Sequence, residues 1–182
     1  VAPDDAVWFG GRNGAARFDG KRFTSFTATN GFPDIYPKKI AGSTDGKTVW
    51  FAGNSGLIRF DGTNFVNVTK EAGLGEFGTD TPHVAPNGFV WFGSGRGAWS
   101  YDGTNFVNYT TKDGLVHDNI LCTYSTPDGV VWFATSGGVS RFDGTNFVNF
   151  TREDGLSANH CIIVTSSPDG VMWFGMFNGG AA

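Results

Sequence analysis

Apolar positions along this chain cluster in short runs rich in Val, Ile, Phe and Trp, each bounded by Gly, Asp, Asn or Ser. The stretch from Leu115 to Leu156 shows the pattern in full: ILCTYS, the turn PDG, VVWFAT, a Ser136-Gly137-Gly138 turn, VSRF, the turn DGTN, and FVNFT. Short β-prone segments separated by residues that tolerate positive φ read as strands joined by hairpins, so this stretch predicts four strands. In the second, Val131, Trp132 and Phe133 are apolar in succession, which suits a central strand covered on both faces. The fourth sets Phe147, Asn149 and Thr151 on one face and Val148 and Phe150 on the other, as an outer strand partly in water would.

The unit repeats. Trp8, Trp50, Trp91, Trp132 and Trp173, each followed by Phe, are separated by 42, 41, 41 and 41 residues. Asp19, Asp61, Asp102 and Asp143, each followed by Gly, always fall 11 residues after the Trp, and the next hairpin turn (Asp45, Asn87, Asp128, Asp169) comes 26 residues later. The one extra residue therefore lies within Gly46, Lys47 and Thr48, where a turn tolerates it. A period of about 41 with several turns per unit fits a four-stranded propeller blade, and no segment carries the sustained 3.6-residue periodicity of a helical repeat. The expected fold is an all-β β-propeller of four-stranded antiparallel blades, four repeat lengths plus a surplus strand. The repeats run about 7–48, 49–89, 90–130 and 131–171 with a partial blade at 172–182, so residues 1–182 read as a single propeller or propeller segment.

The residues PDG-VVWFATSGGVSRFDG, followed by FVNFTREDGL, resemble the repeat of two-component regulator propellers, the periplasmic sensor β-propellers of bacterial hybrid histidine kinases and related secreted proteins. Val130–Leu156 fits best, Phe89–Leu115 well, and the first two units more loosely. The resemblance implies a periplasmic or extracellular sensor or scaffold segment, with the first strand of each blade innermost and the fourth outermost. The Gly-His and Trp-Asp pairs of WD repeats and the Gly-rich loops of dinucleotide-binding domains are missing.

The chain opens in the second strand of one blade (Val7–Gly10) and stops after the second strand of another (Val171–Gly175). Completing the first blade with Cys161–Ser167 would close four blades but leave Met172–Phe177 unhoused. A piece of a larger propeller, or an assembly in which another chain supplies blades, is the expected arrangement, because bare blade faces expose large apolar patches.

Strands two to four are near copies, FDGTNFVN occurring twice and YDGTNFVN once. The segment from the DGL-type loop through the first strand is not: FPDIYPKKIAGS, LGEFGTDTPHVA, LVHDNILCTYST and LSANHCIIVTSS. All three His residues, His83, His117 and His160, lie in it, with Tyr36, Lys38, Lys39, Asp80, Asp118 and Tyr124. Loops between second and third strands share that rim and bring Arg12, Asn13, Asn54, Ser55, Arg96 and Ser136; Arg12 and Arg96 are suited to a carboxylate or phosphate. The candidate ligand contacts are Tyr36, Lys38, His83, His117, Tyr124, His160, Arg12 and Arg96.

With 28 Gly, 18 Phe, 6 Trp and only 16% charged residues, the chain is too apolar for a disordered segment. A net charge of −4 argues against nucleic acid as partner. No run approaches the roughly 20 apolar residues of a membrane span, and the N-terminal VAPDDAVWFGG lacks the regions of a secretion signal. No HxH, HExxH or CxxC pattern points to a metal and no GxSxG elbow to acyl transfer, so neither metal nor cofactor is expected. Cys122 and Cys161 are expected as free thiols rather than a bridge. Most carboxylates sit in turns, leaving Glu71, Glu76, Glu153 and Asp80 as unpaired acid–base candidates. Arg17, Arg59 and Arg141 recur on the third strand, as salt-bridging or stacking between blades would require. Asn67, Asn108 and Asn149 open N-x-T triplets and read as outer-strand polar residues.

The expected function is non-catalytic recognition of a small molecule, glycan or protein on the divergent rim. The alternatives are a propeller-type lyase or glycan-cleaving enzyme using a rim His and a carboxylate, and a structural propeller that forms oligomers or fibres.

Overall fold

Hairpins organise the chain, and four of them are fastened in the same way by an aspartate. Asp61 Oδ1 accepts the backbone N–H groups of Thr63 and Asn64 at 3.0 and 2.8 Å. Asp19, Asp102 and Asp143 do the same for the residues two and three places on. The following Gly takes φ near +100°, the left-handed region a side chain disfavours. The structure, a computed structural model, describes residues 6–34, 36–43, 47–71, 74 and 78–181. Asp45, Gly46, Gly73 and Glu76 of the sequence argument lie outside them. The fold is all-β with antiparallel sheets of blade type. The chain divides into two compact units, Val1–Val84 and Ala85–Ala182.

In the first unit, strands β1 (Val7–Gly11), β2 (Gly14–Phe18) and β3 (Phe23–Phe26) form one sheet. Strands β4 (Pro37–Gly42), β5 (Val49–Gly53), β6 (Gly56–Phe60) and β7 (Phe65–Asn67) form a second in that order, followed by one helical turn, α1 (Val68–Glu71). Strand β8 (Thr79–Val84) is pinned to the β5–β6 hairpin by Thr79, whose hydroxyl accepts from Gly53 N–H (3.2 Å) and donates to Gly56 O (2.7 Å). The core gathers Ala15, Phe32, Val49, Phe51, Ile58 and Phe60 around Trp8.

In the second unit, β9 (Val90–Ser94), β10 (Gly97–Tyr101) and β11 (Phe106–Tyr109) pair antiparallel. Strands β12 (Ile120–Ser125), β13 (Val131–Thr135), β14 (Gly138–Phe142) and β15 (Phe147–Phe150) make a complete four-stranded sheet. Strands β16 (Cys161–Ser166), β17 (Met172–Met176) and β18 (Gly180–Ala181) make the last. Cys161–Ser166 is thus the first strand of its own sheet, and Met172 and Trp173 have a place in the second.

Every residue of β5 and β9 is buried, as the unbroken apolar run predicted for a central strand requires. The odd residue of the repeat sits in the β4–β5 turn. That turn closes from Ser43 N–H to Thr48 O, whereas Ala85–Phe89, Thr126–Val130 and Ser167–Val171 close one residue shorter.

A tryptophan ring joins one blade to the next. Trp91 lies on Tyr109 of its own sheet (5.5 Å, 30°) and meets Phe133 (5.6 Å) and Phe142 (5.7 Å) of the following sheet edge-on. Trp8 repeats the geometry with Phe26, Phe51 and Phe60, and Trp132 with Phe150 and Phe174. Edge-to-face aromatic pairs contribute about 0.5–1.5 kcal/mol beyond area burial. Trp8, Trp50 and Trp132 stand directly opposite Arg17, Arg59 and Arg141, whose charges help depress Asp19, Asp61 and Asp143.

Trp91→Ala is therefore expected to cost about 3–5 kcal/mol in urea unfolding through the cavity it leaves; a loss below 1 kcal/mol would contradict the packing. The backbone N–H bonds to Asp19, Asp61, Asp102 and Asp143 favour the ionised form and hold each carboxyl below its ordinary 3.8. Their contribution is present above that value, where the unfolded chain is ionised too, and is lost as pH falls through the lower folded values. Replacing all four by Asn keeps an oxygen acceptor but removes the titration. Urea midpoints measured below about pH 4 should then fall less steeply than in the unaltered chain.

Candidate functional site

Where each first strand begins, its entry residue meets the turn between the next two strands. Tyr36 N–H donates to Asn54 Oδ1 at 2.7 Å. Asn119 Nδ2 donates to Ser136 Oγ at 2.6 Å, and Asn119 O accepts from Ser136 N–H at 3.2 Å. His160 O accepts from Phe177 N–H at 2.8 Å, and the two rings lie 5.2 Å apart. Tyr36, Asn119 and His160 are the same position of the repeat; Asn119 and His160 share the bond from the turn N–H to their carbonyl, whereas Tyr36 reaches its turn through its own N–H.

The divergent loop adds a second layer to this ledge. Gly97 N–H donates to Asp118 O at 2.7 Å, which sets the Arg96 turn beside the His117–Asn119 segment. Arg96 is held by its backbone alone, N–H to Ser94 Oγ (3.0 Å) and O from Asn108 Nδ2 (3.2 Å), leaving its guanidinium exposed. His117 is exposed, and its Nδ1 accepts from Asn119 N–H at 2.9 Å, which puts the proton of the neutral ring on Nε2, facing outward chemistry. The ring lies over the β13–β14 turn so closely that a Cβ on Gly137 would stand 2.9 Å from His117 Cβ. The Arg96 turn and the His117–Asn119 segment are therefore joined through the Gly97–Asp118 backbone bond, with Ser136 bound to Asn119.

Other candidates stand apart. Tyr124 is half-buried in β12, its hydroxyl 2.6 Å from Ser166 Oγ on β16, so it ties two first strands together. His83 occupies the same place in β8, and burial holds its imidazole below the ordinary 6.5, favouring the neutral form. In the first unit, Tyr36 and Lys38 are exposed, and Arg12 and Asp34 line a hollow of about 270 Å³ with Asn13, Thr29 and Pro33. Lys38 lies at the bulge where β4 slips one residue against β5, a slip repeated at Leu121 and Ile162. Asn119 and Phe177 were not singled out in the sequence; the signal for Asn119 was the repeat column holding Tyr36 and His160, and for Phe177 the turn column holding Asn54 and Ser136.

Several polar residues serve the scaffold. Asp118 caps the loop through Thr111 N–H (2.7 Å), as Asn159 does through Arg152 N–H (2.7 Å). Asn149 bridges Ser140 Oγ and Gly114 O, which accounts for the polar outer strand. An apolar cleft of about 240 Å³ between Trp132, Phe150, Leu156, Met172 and Phe174 is a blade junction rather than a polar ligand site. At the junction of Trp91 and Tyr109 the same space holds Phe142 and Phe147. Among the described residues no cluster of three or more His, Cys, Asp or Glu is placed to hold a metal ion, and no helix is long and apolar enough to cross a membrane.

Residues 114–137, the DGL loop through the β13–β14 turn, match the family described as two component regulator propeller. The chain carries a two component regulator propeller repeat. No curated protein matches the sequence. Among solved structures, the extracellular domain of a putative hybrid two component system from B. thetaiotaomicron superposes with a TM-score of 0.84 at 17% identity, covering 100% of this chain and 26% of that one. PorZ, a surface component of the type-IX secretion system of Porphyromonas gingivalis, gives 0.69 at 15%, covering 97% and 29%. A gluconolactonase from Xanthomonas campestris gives 0.60 at 13%, covering 99% and 67%. At these identities the likeness establishes the β-propeller fold, and this chain spans about a quarter of the first of them. The regulator-propeller repeat here contains the ledge itself, since His117, Asn119 and Ser136 all lie within the matched residues.

Cys122 and Cys161 are both free, and burial pushes the Cys161 thiol up to about 11. In a Cys122→Ser variant, the remaining thiol should resist a disulfide reagent at about pH 8 and react only on unfolding. Rapid labelling of the native protein would contradict its placement.

Proposed function

We propose that the chain is a non-catalytic recognition segment of an extracytoplasmic bacterial sensor, binding its ligand on the rim that carries Arg96, His117 and His160. One observation carries this reading. The bond from a turn N–H to the carbonyl of the residue entering the first strand recurs at Asn119 and His160, while the side chain at this repeat position changes from Tyr36 to Asn119 to His160. A scaffold held constant beneath unlike exposed groups suits recognition of one asymmetric ligand by several blades. Exposed Arg96 supplies a fork for carboxylate or phosphate, and His117 offers an Nε2–H donor when neutral and a cation when protonated. The fold match to an extracellular sensor domain supports the setting.

The test is calorimetric titration with acidic and neutral oligosaccharides and short peptides. For whichever binds, His117→Ala combined with His160→Ala should weaken affinity by about tenfold or more. The melting temperature should stay within about 2 °C, because both side chains are exposed. Equal loss of affinity and stability, or turnover of the sugar, would overturn the reading.

A further inference from the structure

One hollow in the first unit is lined by two opposite charges that do not pair with each other. Arg12 in the β1–β2 turn and Asp34 in the loop between β3 and β4 share a space of about 270 Å³ with Asn13, Thr29 and Pro33. Both charged residues are exposed, and neither side chain forms a hydrogen bond or an ion pair with another described residue. The loop wall is held from behind by Phe32, which is 3% exposed and packs on Phe51 and Phe65 of the second sheet, with ring centroids at 5.5 and 4.9 Å. The hollow therefore lies at the junction of the first two sheets, away from the uncovered face of the first.

Comparison with the later repeats shows that the fold does not require this pair of charges. The positions of Arg12 and Asp34 hold Gly95 with His117 in one repeat and Ser136 with Ala158 in another. In those repeats the loop is also closed by a side chain, Asp118 on Thr111 N–H and Asn159 on Arg152 N–H, each at 2.7 Å. The same position of the first repeat is Ile35, a residue whose side chain has no acceptor, so that closure is not available here.

We infer that the hollow is a binding site for a small zwitterion, an α-amino acid whose carboxylate meets the Arg12 guanidinium and whose ammonium meets Asp34. A guanidinium offers a carboxylate two parallel N–H donors, and a carboxylate accepts from an ammonium. One ligand spanning the hollow thus satisfies two charges that the fold leaves apart, whereas a ligand with a single charge serves only one wall. The volume sets the size, since it falls just below the roughly 300–1,000 Å³ of sites for drug-sized ligands. The site shares no residue with Arg96, His117 and His160, so this inference and the recognition reading stand or fall separately.

The experiment is titration of the nitrogen-labelled 182-residue chain with L-alanine, propionate and L-alaninamide, followed through backbone amide NMR signals. L-Alanine is expected to shift the signals of Arg12, Asn13, Thr29 and Asp34 saturably. Propionate lacks the ammonium and L-alaninamide the carboxylate, and each should bind about tenfold more weakly or worse. Arg12→Gln should abolish the advantage of alanine over its amide, and Asp34→Asn its advantage over propionate, with an unchanged β-sheet spectrum because both side chains are exposed. A merely structural role for either residue would not redistribute preference among the three compounds. Equal affinity for all three, preferences unaltered by both substitutions, shifts confined to the signals of Arg96 and His117, or no saturable shift with any compound would each overturn the inference.

Discussion

The structure depends on one recurring contact, a second-strand tryptophan set edge-on into the aromatic residues of the following sheet. A small antiparallel sheet alone leaves its apolar faces in water, and each blade here gains stability by covering its neighbour. The contact also fixes the repeat length. Trp and its receiving Phe must recur in step for every sheet to act as ring donor on one face and acceptor on the other, so the spacing of 41 varies only where a turn absorbs the change, between Ser43 and Thr48.

The sequence-legible part of the fold is the part that this contact and the turns dictate. Strand identity followed from apolar runs punctuated by Asp-Gly, and the buried β5 and β9 match the unbroken apolar run that marks such strands. Features that depend on what lies across a junction could not be read in one copy of the repeat. The bulges at Lys38, Leu121 and Ile162 leave no turn residue to announce them. Periodicity shows that a position is structural without showing which partner it serves.

The candidate site divides the same way. Divergence among copies directed attention to the loop and first strand, where a Gly97–Asp118 backbone bond joins the Arg96 turn to the His117 segment. Tyr124 has its hydroxyl bound to Ser166, and burial shifts His83 towards the neutral form. Asn119 was not singled out because an Asn in a loop is unremarkable by itself; it matters through its place in the column of Tyr36 and His160. Variation of exposed groups over constant hydrogen bonds is what a propeller permits, since the stability of each blade resides at its faces and the rim is left free to change.

The most direct test of this account is a double-mutant cycle between Trp91 and Phe142, each replaced by Leu singly and together, with stabilities from urea unfolding. Rings in edge-on contact should give a coupling of about 0.5–1.5 kcal/mol. Strictly additive losses would show that the two rings do not meet and that something other than this contact joins the blades.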